Sequence, residues 1–260
     1  MRRPYAVALL ATLVCMGCAG QAYASESLKL SVSLTPEHLG QGTTVGFDFR
    51  IASSTSAVPP PLTRVNLRYP GDLGVALSGL GLRTCPTARL EAHGPAGCPA
   101  EARMGSGSVL AEIAIGPEVI TEHATLAVIR APTQGGHVSM MFYAAGISPV
   151  DAQIVFPGQL LPAQAPFGGL LHIDVPLVPS LPEAPDVAVA EIHATLGPQH
   201  LTYYHHVRGR YVAYNPQGIL LPNRCPRGGF PFAAELGFLD GTSTSAQAVV
   251  PCPRIRRGRG

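Results

Sequence analysis

Histidine and cysteine are the residues with the most chemical scope in this 260-residue chain, which has nine of the first and six of the second. Four histidines crowd into EIHATLGPQHLTYYHHVRGRYVAY: His193, His200, His205 and His206. Neutral imidazole is the commonest metal ligand, so a copper or zinc site on His193, His200 and His205 is the first chemistry to weigh. It needs the chain to fold back around Leu196-Gly197-Pro198, bringing His193 on one strand to His205 on the next, with His200 in the turn. His205 and His206 are neighbours, so on a strand they leave opposite faces and cannot readily share one ion. The commoner fate of such a cluster is a hairpin with partly exposed histidines.

Hydrolytic chemistry is the second candidate, because Asp174, Glu191 and Glu235 would serve as paired carboxylates if they met in space. His172 and Asp174 lie two apart in GLLHIDVPL, the spacing of the wet side of a strand. The chain has no G-x-S-x-G elbow, no phosphate-loop motif and no H-E-x-x-H zinc helix. Tyr203, Tyr204, Tyr211 and Tyr214 suit hairpin packing or a stacking surface, and the absence of tryptophan argues against a carbohydrate platform.

Cys85, Cys98, Cys225 and Cys252 are each followed by proline. The two nearest are separated by twelve residues, too far for a redox C-x-x-C pair and for the short-spaced ligand pairs of structural zinc. An even count in an exported chain reads instead as disulfides, with three pairings open in principle. FPFAAELGFLDGTSTSAQAVVPCP reads as a hairpin turning at Asp240-Gly241, which returns Cys252 towards Cys225 and leaves Cys85 with Cys98.

Export is read from the opening residues. Arg2 and Arg3 precede an apolar run from Ala6 to Gly17 and the small-x-small triplet Ala22-Tyr23-Ala24, the pattern of a cleaved signal peptide over residues 1–24. Lipoprotein processing at Cys18 fits less well, since Cys15 stands where a Leu-like residue belongs. The run is also shorter than the ~20 apolar residues that span a bilayer, so no transmembrane segment is expected in the mature chain. The leader carries two of the 18 basic residues and none of the 16 acidic ones, leaving a balanced body with no broad claim on nucleic acid. Charge concentrates only in PRIRRGRG, a basic tail over residues 254–260 that reads as a solvated terminus or a contact for an anionic wall polymer or lipid surface.

These residues must be positioned by strands. With 29 Gly and 26 Pro, helices are cut short, while 46% apolar content suffices for a sizeable core. Leu28, Leu30, Val32 and Leu34 alternate with polar residues, as do Val45, Phe47, Phe49 and Ile51, and then Val65, Leu67 and Tyr69. Further strands follow in GSGSVLAEIAIG, EHATLAVIRAP, HVSMMFYAA, QIVFPG, GLLHIDVPL and VAVAEIHATLG, with a turn near Glu101–Met104 as the only helical hint. The expected fold over residues 25–253 is all-β, an antiparallel β-sandwich (immunoglobulin-like or jelly-roll-like), disulfide-stapled, with little helix. It forms one large domain or two packed sub-domains, with PLVPSLPEAPD, residues 176–186, as the candidate linker.

The run TCPTARLEAHGPAGCPAEARMGSGSVLAEI, together with YNPQGILLPNRCPRGGFPFAAELGFLDGTSTSAQAVVPCP, resembles a recurrent group of exported actinobacterial proteins with paired Cys-Pro motifs. That group has no assigned activity, so the resemblance implies a secreted β fold and carries over no catalytic residue. The functional expectation is a non-catalytic binding or structural module at the cell envelope or outside the cell, its partner a protein or a cell-wall polymer. A secreted metal-binding protein or hydrolase using the His193–His206 region is the alternative.

Overall fold

The computed structural model describes residues 26–75, 79–147, 151–180 and 186–253. The signal peptide and the basic tail expected from the sequence lie outside these residues.

Fourteen strands account for most of the described chain: β1 (Glu26–Thr35), β2 (Gly42–Ser53), β3 (Leu62–Pro70), β4 (Arg103–Ile115), β5 (Glu118–Arg130), β6 (Ser139–Gly146), β7 (Gln153–Pro162), β8 (Phe167–Asp174), β9 (Ala188–Leu196), β10 (Tyr203–Val207), β11 (Arg210–Tyr214), β12 (Ile219–Leu220), β13 (Phe230–Phe238) and β14 (Ser243–Val250). The all-β, antiparallel expectation holds. The sandwich needs correction. Eleven strands form one continuous sheet in the order β1-β2-β9-β4-β5-β6-β7-β8-β3-β13-β14, with β12 added to β2 and only β10-β11 outside it. The sheet curls until β1 lies alongside β14, so the molecule is close to a barrel. Alternating apolar residues specify a sheet with one buried face; they do not specify whether that face is covered by a second sheet or by the curl of the first.

Every neighbouring pair on this path is antiparallel, and the number of strands is odd, so the two seam strands run the same way. Their starting ends are tied by Thr242 Oγ1, which donates to the buried Glu26 Oε2 at 3.0 Å. The interior is apolar: Leu30, Leu34, Val45, Phe47, Phe49, Leu67, Leu126, Val128, Phe142, Phe232 and Leu236 all belong to one cluster. Outward positions such as Lys29, Asp48, Arg50, Arg64, Asn66, His172, Glu191 and His193 are polar. A membrane barrel has the opposite arrangement, with its apolar band outside. No helix of the described residues is long and apolar enough to cross a membrane.

Two glycines let β9 enter between β2 and β4. A Cβ on Gly105 would lie 1.9 Å from the Thr195 carbonyl oxygen, and one on Gly107 would lie 2.1 Å from that of His193. Only a residue without a side chain permits that approach.

A small second cluster sits on the outer side of the sheet. Cys85, Leu90, Cys98 and Ala102 pack on Ile129, Met141 and Tyr143 of β5 and β6. Leu90 belongs to a seven-residue helix, α1 (Thr87–His93), which the proline and glycine density had argued against. It forms because Pro86 starts it, Gly94 ends it at φ 60° with its N–H on the Leu90 carbonyl, and the Cys85–Cys98 bond closes the loop around it. The turn expected at Glu101–Met104 is a 3₁₀ turn at Ala100–Ala102.

The segment 176–186, the candidate linker, joins β8 to β9 of the same sheet. Its described residues cross one end of the curled sheet, with the Val187 N–H donating to the Val178 carbonyl at 2.9 Å.

Candidate functional site

The alternation that builds the inner face also leaves space within it. Inward positions on β9, β4, β5 and β6, four adjacent strands, include Ala194, Ala111, Ala124 and Ala144, all too small to reach the opposite wall. That wall carries larger groups from β7, β8 and β3: Ile154, Phe156, Leu171, Ile173, Val65 and Leu67. Phe142 and Phe156 are cross-strand partners with stacked rings 5.5 Å apart. Phe47 stands edge-on to Phe232 at 5.9 Å towards the closed end. Between the walls lies a cavity of about 170 Å³.

The cavity is partly open where β6 ends and β9 begins. Gly146 and Ala152 border it on one side and Val175, Pro176, Leu177, Val178 and Val187 on the other. Its lining is aliphatic and aromatic apart from one carboxylate, Glu122, which is buried on β5 opposite Ala111. The other end is filled by packed side chains, among them the fully buried Tyr203, Phe230, Phe232 and Met140. Tyr203 donates its hydroxyl proton to the Arg103 carbonyl and accepts from the Gly81 N–H at 3.1 Å. Burial raises the pKa of that phenol, keeping it a donor.

Comparison with protein-family models, curated proteins and solved structures finds no match for this chain. The site therefore has to be read from its own chemistry.

The four cysteines pair as the hairpin argument favoured, Cys85 with Cys98 and Cys225 with Cys252, at Cα separations of 5.5 and 5.8 Å. The turn at Asp240-Gly241 is present, with Thr242 N–H on Asp240 Oδ1 at 2.9 Å.

The histidines do not converge. His193 is on the outer face of β9, where Nδ1 meets Asp48 Oδ1 at 2.5 Å and Nε2 faces Glu191 Oε2 at 3.3 Å. The Asp48 hydrogen bond raises its pKa above the ordinary value, with Glu191 adding to the effect and partial desolvation opposing it. His200 occupies a turn at φ 63°. His205 and His206 lie on opposite faces of the β10-β11 hairpin, the first against Tyr214 and the second against Tyr211. Among the described residues, no group of three His, Cys, Asp or Glu side chains is placed to hold a metal ion.

The three candidate carboxylates are also dispersed over the outer face. Glu191 is 3.6 Å from Arg50, Glu235 lies 3.5 Å from Arg68 and 4.0 Å from Arg64, and Asp174 is 3.4 Å from His172. β8 and β13 flank β3, whereas β9 lies five places from β8 along the sheet, so these groups do not flank one cleft. What sequence reasoning missed is the cavity wall. Its signal, alanine at inward positions, becomes visible only once β9 is known to lie beside β4.

Proposed function

We propose that this chain is an exported, non-catalytic binding protein that holds an apolar molecule, or the apolar end of a larger one, inside its curled sheet. The observation that carries the reading is the cavity of about 170 Å³ walled by aliphatic and aromatic side chains. Folded interiors are normally close-packed, with few voids larger than a water molecule. A space this size in an apolar lining is costly to leave empty and unattractive to water.

Size narrows the ligand class. A dry cavity of ~150 Å³ accommodates benzene, while typical pockets for drug-sized molecules start near ~300 Å³. The enclosed part therefore suits one aromatic ring or a short alkyl segment. A longer molecule would leave its remainder in the opening beside Gly146, Ala152 and Val187. Two disulfides and the leader-like N-terminus support export to an oxidising compartment, and resemblance to exported actinobacterial proteins agrees.

Titration with N-phenyl-1-naphthylamine, a neutral dye that brightens on leaving water, tests the proposal. Saturable one-to-one binding displaced by octanol is expected. Absence of saturable binding of both the dye and benzene by the folded, oxidised protein overturns the reading.

A further inference from the structure

The charge on this molecule is balanced in number and divided in space. Residues 192–234 contain no Asp or Glu, yet they carry Arg208, Arg210, Arg224 and Arg227. All four are exposed, and none forms an ion pair with a described residue. Strand direction puts them at one end of the curled sheet. β9 ends there and leads into the β10-β11 hairpin, while Arg224 and Arg227 flank Cys225 just before β13 begins. The Cys225–Cys252 bond fastens the exit of β14 to the same place, and the sequence after it holds four more arginines, Arg254, Arg256, Arg257 and Arg259. Glu37, Asp72, Glu91 and Glu101 also lie towards this end, on the connections after β1 and β3 and around the first disulfide loop. The opposite end, where the cavity opens, carries Glu118, Asp151, Asp174, Asp186 and Asp240.

The hairpin adds a second property. It stands outside the main sheet, rooted by the buried Tyr203 and its partly buried partner Tyr214, and its remaining length is exposed. Tyr204, Val207, Tyr211 and Val212 are among the most exposed large hydrophobic residues of the described chain, with Tyr211 79% accessible. Its tip is a two-residue turn, Arg208-Gly209, between the paired Val207 and Arg210. Arg208 adopts φ 47°, a conformation that glycine, asparagine or aspartate would take at lower steric cost. An arginine there places a cation at the tip against local backbone preference.

From this combination we infer that the arginine-rich end, led by the β10-β11 hairpin, docks on an anionic lipid surface. Basic side chains attract anionic headgroups, tyrosine rings sit at the headgroup level, and valines have an acyl boundary to enter. A soluble anionic polymer would satisfy the arginines and offer the valines and tyrosines nothing to bury in. Docked this way, the cavity opening faces away from the bilayer.

Co-sedimentation of the oxidised chain with phosphatidylcholine vesicles, with and without about 30% phosphatidylglycerol, tests the inference. Binding is expected only to the anionic vesicles and to weaken with salt. Replacing Arg208 and Arg210 by glutamine should lower partitioning about 25-fold, at ~5-fold per arginine. Tyr211→Ser should lower it further while near-ultraviolet circular dichroism stays unchanged. Equal binding to neutral vesicles, unaltered partitioning of the glutamine variant, or indifference to Tyr211→Ser with tighter capture by soluble polyphosphate would each overturn it. Dye binding in the cavity is read separately and does not depend on the outcome.

Discussion

His193 of β9 and Asp48 of β2 are cross-strand partners whose side chains meet on the outer face, Nδ1 to Oδ1 at 2.5 Å. Because the hydrogen bond to Asp48 raises the histidine pKa above 6.5, the pair stabilises the fold fully below the unfolded-state value. That contribution is lost as pH rises through the elevated folded value. Both side chains are nearly half exposed, so solvent screening holds the effect below about 1 kcal/mol. In NMR titrations the His193 ring protons should show a midpoint above 6.5, and Asp48→Asn should return it towards that value. An unchanged midpoint in the variant would remove Asp48 as the cause.

The disulfides close loops of different length, with sequence separations of 13 and 27. Loop-closure entropy alone predicts losses of about 3 and about 3.5 kcal/mol on replacing each pair with serine. Urea unfolding of Cys225→Ser/Cys252→Ser checks the second. The Cys85–Cys98 pair, whose half-cystines are both buried under the outer cluster, should cost more than its loop predicts because packing around Leu90 is lost too.

Ala124 faces the cavity between Val109 and Gly146, its partners on β4 and β6. Ala124→Phe should place a ring in the vacant space and abolish dye binding without lowering the urea midpoint. Phe142→Ala, which enlarges the cavity and removes the partner of Phe156, should admit bulkier dyes at a cost of about 3 kcal/mol. Normal dye affinity in the Ala124→Phe protein would move the binding site elsewhere.

Gly107→Ala inserts a methyl group where the His193 carbonyl approaches. Overpacking of this kind costs about 1 to 3 kcal/mol. Because the displaced strand is β9, hydrogen exchange should quicken along β2, β4 and β9 and stay unchanged in β13 and β14. Uniform acceleration would contradict the local account.

Much of the fold was legible in the alternation of β1, β2 and β3, since Leu30, Phe47 and Leu67 point inward where period two puts them. The cysteine pairing was legible as well, because one hairpin settles the geometry of Cys225 and Cys252. Strand order was not. β9 inserts between β2 and β4, and β3 between β8 and β13, through long-range contacts that leave no local pattern. The cavity stayed hidden for the same reason: Ala194 and Ala124 come together only through that order. For the histidines, closeness along the chain left a shared site and an exposed hairpin both open, because only the strand pairing shows that His193 stays in the sheet and His205 leaves it on a separate hairpin.

The same-way run of β1 and β14 makes the molecule a natural handle with two different grips. The chain enters at the acidic rim with Glu26 and leaves at the basic pole after Val250. A tether fused ahead of residue 26 would leave from the end of the sheet that holds the doorway, whereas one joined after Cys252 would leave from the arginine end and keep the doorway free. Attaching the protein by either extremity therefore selects which of its two proposed activities an assay on a solid support is able to see.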